Sequence, residues 1–166
     1  MFREITPYEI QDNTFHAIDK DWMLITAAKD GTPNSMTASW GCLGILWNKP
    51  IAVCFVRPQR YTYAFCESAN TLSLSFFDPD WRDALRLCGT KSGRDMDKYA
   101  ATGLTPVFDG DTPYLAQARM VLICKKLYVD DLKKQNFLDP ALLKNYPIDD
   151  FHRVYICEIT KVLVKE

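Results

Sequence analysis

The sequence predicts a mainly β protein with short helices: an antiparallel barrel in a single domain spanning residues 1–166. Apolar or alternating runs of strand length recur along the chain, closed off by Pro, Gly, Asn or Asp. The helix-like segments between them are short. There is no regular βαβ rhythm and no GxGxxG or GxxxxGK[ST] fingerprint, so neither a doubly wound dinucleotide sheet nor a P-loop is indicated. A chain of 166 residues suits one domain with a substantial core, and no repeat, low-complexity stretch or linker divides it.

In chain order, WMLITAA (22–28) is an apolar run ended by the turn KDGTPN (29–34), as in a buried strand leading through a hairpin-like connection into 34–40. NSMTASWGCLGILWNKP (34–50) opens like a strand, but Ser35, Thr37 and Ser39 interrupt it. Two tryptophans, Trp40 and Trp47, flank an expected bend at Gly41 and Gly44. PIAVCFVRP (50–58) is a strong strand with proline at both ends. YTYAFCES (61–68) fits a short helix, and TLSLSFF (71–77) alternates like a strand. Asp80 is placed to cap a helix over WRDALRLC, and a glycine-containing loop, GTKSGRD (89–95), leads to a second helix, MDKYAATG. AQARMVLICKKLYV (116–129) reads as a long strand, with a helical first half as the alternative, and DPALLKNY (139–146) as a helix opening. RVYICEITKVLVK (153–165) closes the fold as a strand.

Composition narrows the function classes. With 48% hydrophobic and 25% charged residues the chain is globular, not disordered. A formal net charge of -1 argues against a general binder of nucleic acid or anionic membrane. No apolar run approaches the roughly 18 to 20 residues that cross a bilayer. The N-terminal MFREITPYEI lacks the features of a signal peptide, so the expected location is the cytoplasm. Six cysteines are present without a CxxC pair or zinc spacing, and several sit in apolar runs such as AVCFV and VLICKK. Reduced, buried thiols and no metal site are the expectation.

Two segments suggest anion chemistry. RPQRYT (57–62) places Arg57 and Arg60 beside the hydroxyls of Tyr61 and Thr62 at a predicted helix start. Arginine forks and free helix N–H groups both suit a phosphate. A solvated turn whose arginines pair with carboxylates has the same pattern. GTKSGRDMDK (89–98) offers Gly89 and Gly93 for close backbone approach, and donors at Lys91, Ser92, Arg94 and Lys98. An ordinary helix-capping loop with Asp95 as the cap is the reading that the local pattern alone favours. Lys/Arg and Asp/Glu nearly balance across 57–98, so an anion site there must be local and geometric. Neither His16 nor His152 sits in a nucleophile or metal pattern, and Asp130–Asp131 and Asp149–Asp150 read as solvated loop ends.

Taken together, NSMTASWG, LW-KP, RPQRYT and SGRDMDK, in this order and spacing, resemble the flavin reductase-like proteins of the FMN-binding split-barrel superfamily, and within them the flavoredoxin-like branch. The similarity runs from DNTFHAI (12–18) to DFHRVYICEI (150–159). It implies a six-stranded antiparallel split β-barrel that binds FMN, usually as a homodimer with the flavin near the subunit boundary. It implies that Met36, Thr37, Ser39 and Trp40 lie along the flavin ring, mainly through backbone groups. Arg57, Arg60, Tyr61 and Thr62 are implied to hold the phosphate and ribityl end, and Gly89, Ser92, Gly93 and Lys98 the loop over the cofactor. Many flavin reductases carry Gly-Asp-His before the last strand, with a glycine five residues later. Here His152 follows Asp150 and Phe151, and the later position is Cys157. The matching histidine lies near the flavin and the reductant, which makes His152 the candidate catalytic residue.

The implied function is an NAD(P)H-dependent flavin reductase, with NADH or NADPH as reductant, passing electrons through FMN to a small-molecule or redox-protein acceptor. A flavoredoxin-type electron carrier without its own nicotinamide site is the alternative. A non-redox ligand-binding barrel is the further one.

Overall fold

A computed structural model describes residues 1–166. It contains ten strands and four short α-helices. In order these are β1 (Phe2–Ile5), α1 (Thr14–His16, continued by a π-helical turn, Ala17–Asp21), β2 (Met23–Lys29), β3 (Thr32–Ala38), β4 (Gly41–Leu46), β5 (Lys49–Val56), α2 (Tyr61–Ser68), β6 (Thr71–Phe76), α3 (Arg82–Thr90), α4 (Lys98–Thr102), β7 (Pro106–Asp109), β8 (Thr112–Leu115), β9 (Met120–Asp131) and β10 (Arg153–Lys165).

One antiparallel sheet runs in the order β3-β2-β6-β9-β10-β5-β4, with β1 added against the end of β10. Its two edges, β3 and β4, are consecutive in sequence, joined only by Ser39 and Trp40. Three residue steps span at most about 11 Å, so the sheet must curl until its edges nearly meet. The result is an antiparallel split barrel, whose seam is bridged by the chain and not by a hydrogen-bonded ladder. Six strands, β2, β3, β5, β6, β9 and β10, supply the strand residues of the main buried core. The two others extend the sheet beyond six: β1 and β4 add only the partly buried Ile5 and Leu43 to that core. A separate hairpin, β7–β8, packs outside.

The run WMLITAA is apolar because β2 is buried on both faces. Met23, Ile25 and Ala27 face the barrel core. Leu24 faces a second cluster with Phe77, Leu85 and Cys88 beneath α3. Full burial of one such leucine contributes about 1.5 to 3 kcal/mol.

Several expectations are corrected. The first hairpin turns on Asp30–Gly31 alone (φ 51° and 75°), a pair that suits positive φ, so β3 starts at Thr32 and not at 34. Gly41 and Gly44 lie within β4; the reversal comes at Trp47–Asn48 (φ 52° and 58°). Asp80 does not cap α3: it sits in a 3₁₀ turn, Pro79–Trp81, and the position before the helix is Trp81. Asp97, not Asp95, caps α4 by accepting from the N–H groups of Tyr99 and Ala100. The segment 139–146 forms a 3₁₀ turn, Pro140–Asn145. Cys54, Cys66, Cys88, Cys124 and Cys157 are free and buried, whereas Cys42 is free and exposed. No helix is long and apolar enough to cross a membrane.

Candidate functional site

The seam of the barrel opens into two adjoining cavities that share Arg60. β3 shapes both. Its inward residues, Met36 and Ala38, fill the core, and its small hydroxylated residues brace the helices outside. Ser35 Oγ lies 2.8 Å from the Thr26 hydroxyl and 2.9 Å from that of Tyr99 in α4. Thr37 donates to the Leu85 carbonyl of α3 at 2.5 Å. Asn34 donates to Thr62 of α2 at 2.8 Å. The polar side chains that make this strand look ill-suited to a core therefore tie the helices to one edge of the sheet, the Asn34 amide holding α2 and the Thr37 and Ser35 hydroxyls holding α3 and α4. Bulky aliphatic residues there would push those helices away.

The polar cavity, about 190 Å³, is lined by Arg60, Tyr61 and Thr62 at the start of α2, by Gly89 at the end of α3, and by Lys91, Ser92, Arg94 and Lys98. The position before α2, Arg60, is extended and provides no side-chain cap, so the first-turn N–H groups are left for another acceptor. Lys98 is only 5% exposed, and its Nζ donates to the Ser35 carbonyl at 2.7 Å and the Cys88 carbonyl at 3.3 Å. Arg60 also donates to the Cys88 carbonyl, at 3.2 Å. Burial pulls the pKa of both cations below their ordinary values. None of Arg60, Lys91, Arg94 and Lys98 forms a salt bridge, and no carboxylate lines the cavity. A buried cation without a counter-charge is costly unless something compensates it.

The second cavity, about 180 Å³, lies on the seam itself and is lined by Met36, Thr37, Ala38, Ser39, Trp40, Phe55, Arg57, Arg60 and His152. Trp40 is 49% exposed, with its ring centroid 5.4 Å from that of His152. His152 is buried, and its Nδ1 lies 2.7 Å from the Tyr146 hydroxyl. Burial, with a smaller push from Arg57, lowers its pKa to about 4, so the ring is neutral at pH 7.

Arg57 lies at this end and not in the polar cavity. Its Nη1 donates to Asp150 at 2.5 Å and its Nη2 to the Asn145 carbonyl at 2.8 Å, and the guanidinium stacks 5.0 Å from the Tyr146 ring centroid. Gln59 donates to the same Asp150 oxygen at 2.6 Å. Burial pushes the Asp150 carboxyl up, but these bonds outweigh it and hold its pKa below the usual value. The two arginines of RPQRYT thus follow different readings: Arg57 pairs with a carboxylate and Arg60 does not.

Gly93 also departs from its expected role. A Cβ there would come within 2.5 Å of Asn34 Oδ1 and 2.9 Å of the Tyr61 ring, so glycine is required for packing beneath Tyr61. Gly93 lines a neighbouring cleft, not the polar cavity. At Gly89 a Cβ would meet Thr37 at 3.3 Å, another tight helix-to-strand approach. Trp47 is at the exposed tip of the β4–β5 hairpin, outside both cavities. Lys91 and Arg94, read as donors from the 89–98 loop, line the site, and residues that sequence reasoning missed also line or brace it: Phe55 lines it, and Asn34, Tyr146 and Asp150 hold lining groups in place. Phe55 was open to inference, since it stands two residues before Arg57 at the end of β5; Asn34, Tyr146 and Asp150 act through contacts distant in sequence.

Residues 15–166 match the family model described as flavin reductase like domain. The chain has no significant match among curated proteins. Among solved structures it is similar to an FMN-binding domain of a flavin reductases-like enzyme from Shewanella baltica (TM-score 0.72, 17% identity, 99% of this chain and 77% of that one). It is similar to the flavoredoxin of Desulfovibrio vulgaris (TM-score 0.68, 23% identity, 87% and 69%). A third is a Streptomyces globisporus NADH:FAD oxidoreductase in complex with NAD and FAD fragments (TM-score 0.64, 15% identity, 87% and 74%).

Proposed function

The chain belongs to the flavin reductase like domain family, and on that premise we propose that it is an FMN-binding oxidoreductase, reduced by NADH or NADPH, that passes electrons to a small-molecule or redox-protein acceptor. One observation carries the flavin reading: four cations without carboxylate partners surround a polar cavity that adjoins an aromatic cleft. FMN has that shape of chemistry, a dianionic phosphate at one end and a flat ring at the other.

When bound, FMN would supply the electron-transfer chemistry. Arg60, Lys98, the α2 N-terminus, Thr62 and Ser92 hold the phosphate end, where each hydrogen bond to a charged group contributes about 1.5 to 3 kcal/mol. Met36, Thr37 and Ser39 offer backbone to the ring because their side chains are small or engaged elsewhere. Trp40 covers the seam and excludes water. His152, neutral and held by Tyr146, positions the reductant and is not a proton donor at pH 7. Tyr61, Gly89 and Gly93 set the packing of the loop over the cofactor. Arg57 fixes the segment before β10 through Asp150 and lines the ring end. The chain would act as a homodimer through the β4–β5 hairpin, where Ile45, Leu46 and Trp47 are exposed together.

The carrier reading has one observation in its favour. Phe151 stands where many flavin reductases have an aspartate, and it packs 4.8 Å from Tyr146 and 5.6 Å from Phe137. Anaerobic stopped-flow mixing with NADH and NADPH separates the two readings. Rapid bleaching of the flavin absorbance is expected, and failure with both nucleotides leaves the carrier. Arg60→Ala is expected to weaken FMN about a hundredfold and riboflavin little. A purified protein that takes up no flavin at all would sink both readings.

A further inference from the structure

We propose that Arg94 selects a flavin monophosphate over a flavin dinucleotide by closing the passage between the polar cavity and the cleft beside it. The inference rests on the flavin reading above and adds a residue and a specificity to it. The neighbouring cleft is large, about 510 Å³, and shares Tyr61, Arg94 and Lys98 with the polar cavity. The two spaces therefore meet at those three side chains.

Only one of the three is free to move. Lys98 is buried and tied to the Ser35 carbonyl. Tyr61 packs edge-on against Phe65, with centroids 5.0 Å apart, and Gly93 closes in on its ring. Arg94 is exposed and has no carboxylate partner. Its guanidinium rests 4.8 Å from the Tyr61 ring centroid and donates one long bond, 3.4 Å, to the Gln59 carbonyl. It spans the gap between the 91–97 loop and the turn before α2 with contacts that are weak at an exposed position.

The chemistry gives this position a consequence. A terminal phosphate carries nearly two negative charges and three free oxygens, which suits Arg60, Lys98 and Arg94 acting together. Joined to a second nucleotide, the same phosphorus keeps one charge and two free oxygens, and the chain must leave the cavity. The space beyond is walled by Tyr61 and Tyr99, aromatic surface on which a base can stack, and by Asp95 and Asp97, whose charge opposes a second phosphate. The exit lies where Arg94 sits. The monophosphate therefore gains a contact from Arg94, and the dinucleotide must displace it.

The test is titration of the flavin-free full chain with riboflavin, FMN and FAD, read by flavin fluorescence, in the wild type, Arg94→Ala and Arg94→Glu. Arg94→Ala is expected to lower the preference for FMN over FAD about tenfold, the scale of one charge-assisted hydrogen bond, with riboflavin unchanged. Arg94→Glu is expected to lower it further. An unchanged FMN-to-FAD ratio in both variants overturns the inference. Arg60→Ala keeps the two failures apart: if it also leaves FMN unaffected relative to riboflavin, the phosphate site itself is wrong. If it weakens FMN while the Arg94 variants do nothing, only the selectivity role falls.

Discussion

Arg57 and Arg60 stand three residues apart in one motif and end in opposite electrostatic situations. Arg57 has a carboxylate, a carbonyl and an aromatic face around it, all from the 145–150 segment. Arg60, with Lys98 beside it, has only the Cys88 carbonyl for a shared polar partner, and no counter-charge. The first arrangement has its counter-charge and acts as scaffold, although Asp150 Oδ1 is buried without a hydrogen-bond partner. The second is incomplete, because two desolvated cations side by side destabilise each other until an anion arrives. On the flavin reading proposed above, the sign of a ligand site is an unpaired charge, not the presence of arginine.

The largest break of that comparison comes from Lys98→Met, which keeps the bulk and removes the charge. FMN affinity should fall about a hundredfold and riboflavin affinity little, by fluorescence titration. The flavin-free variant should unfold at no lower temperature than the wild type, because an unpaired buried ammonium is replaced by an apolar chain. A clear drop in melting temperature would make Lys98 a structural tie to the Ser35 and Cys88 carbonyls instead.

Arg57→Ala should give the reverse pattern, with a smaller effect on binding. Asp150 is left with a side chain only 10% exposed and without its cation, so the melting temperature of the flavin-free protein should fall. FMN and riboflavin should weaken by the same factor of a few, since Arg57 lines the ring end. A loss confined to FMN would return Arg57 to the phosphate and erase the distinction between the two arginines.

This division also marks what the sequence could reveal. α2 and β10 follow the expected limits, 61–68 and 153–165, because each is a continuous local pattern with clear boundaries. The β7–β8 hairpin was hidden by Pro106, Pro113 and its acidic turn, and β4 by its glycines. Identities around the cavities were legible because 34–40, 57–62 and 89–98 are compact stretches. Their partners were not. Asp150 reaches Arg57 across 93 residues, and Ser35 meets Lys98 across 63. Whether a cation is paired depends on those distant approaches, so a motif with two arginines could not say which one awaits a ligand.

The smallest effect is expected at His152, where it sharpens the comparison without altering affinity. Its folded pKa, about 4, lies below the ordinary histidine value of roughly 6.5. Between those limits the unfolded chain binds a proton there and the folded chain does not, so stability rises with pH through this window. The contribution is complete above about pH 6.5 and is lost as the pH falls toward 4. His152→Gln should therefore flatten the dependence of melting temperature on pH between 6.5 and 4 while leaving FMN affinity at pH 7 nearly unchanged. It should also leave the flavin-reduction rate without a histidine titration near neutrality, as in the wild type. If the wild-type rate instead shows a step at pH 6 to 7 that the variant lacks, the imidazole ionises in that range during the reaction. The ring end would then be an active proton site and not the neutral positioning group that its contacts with Tyr146 and Trp40 describe.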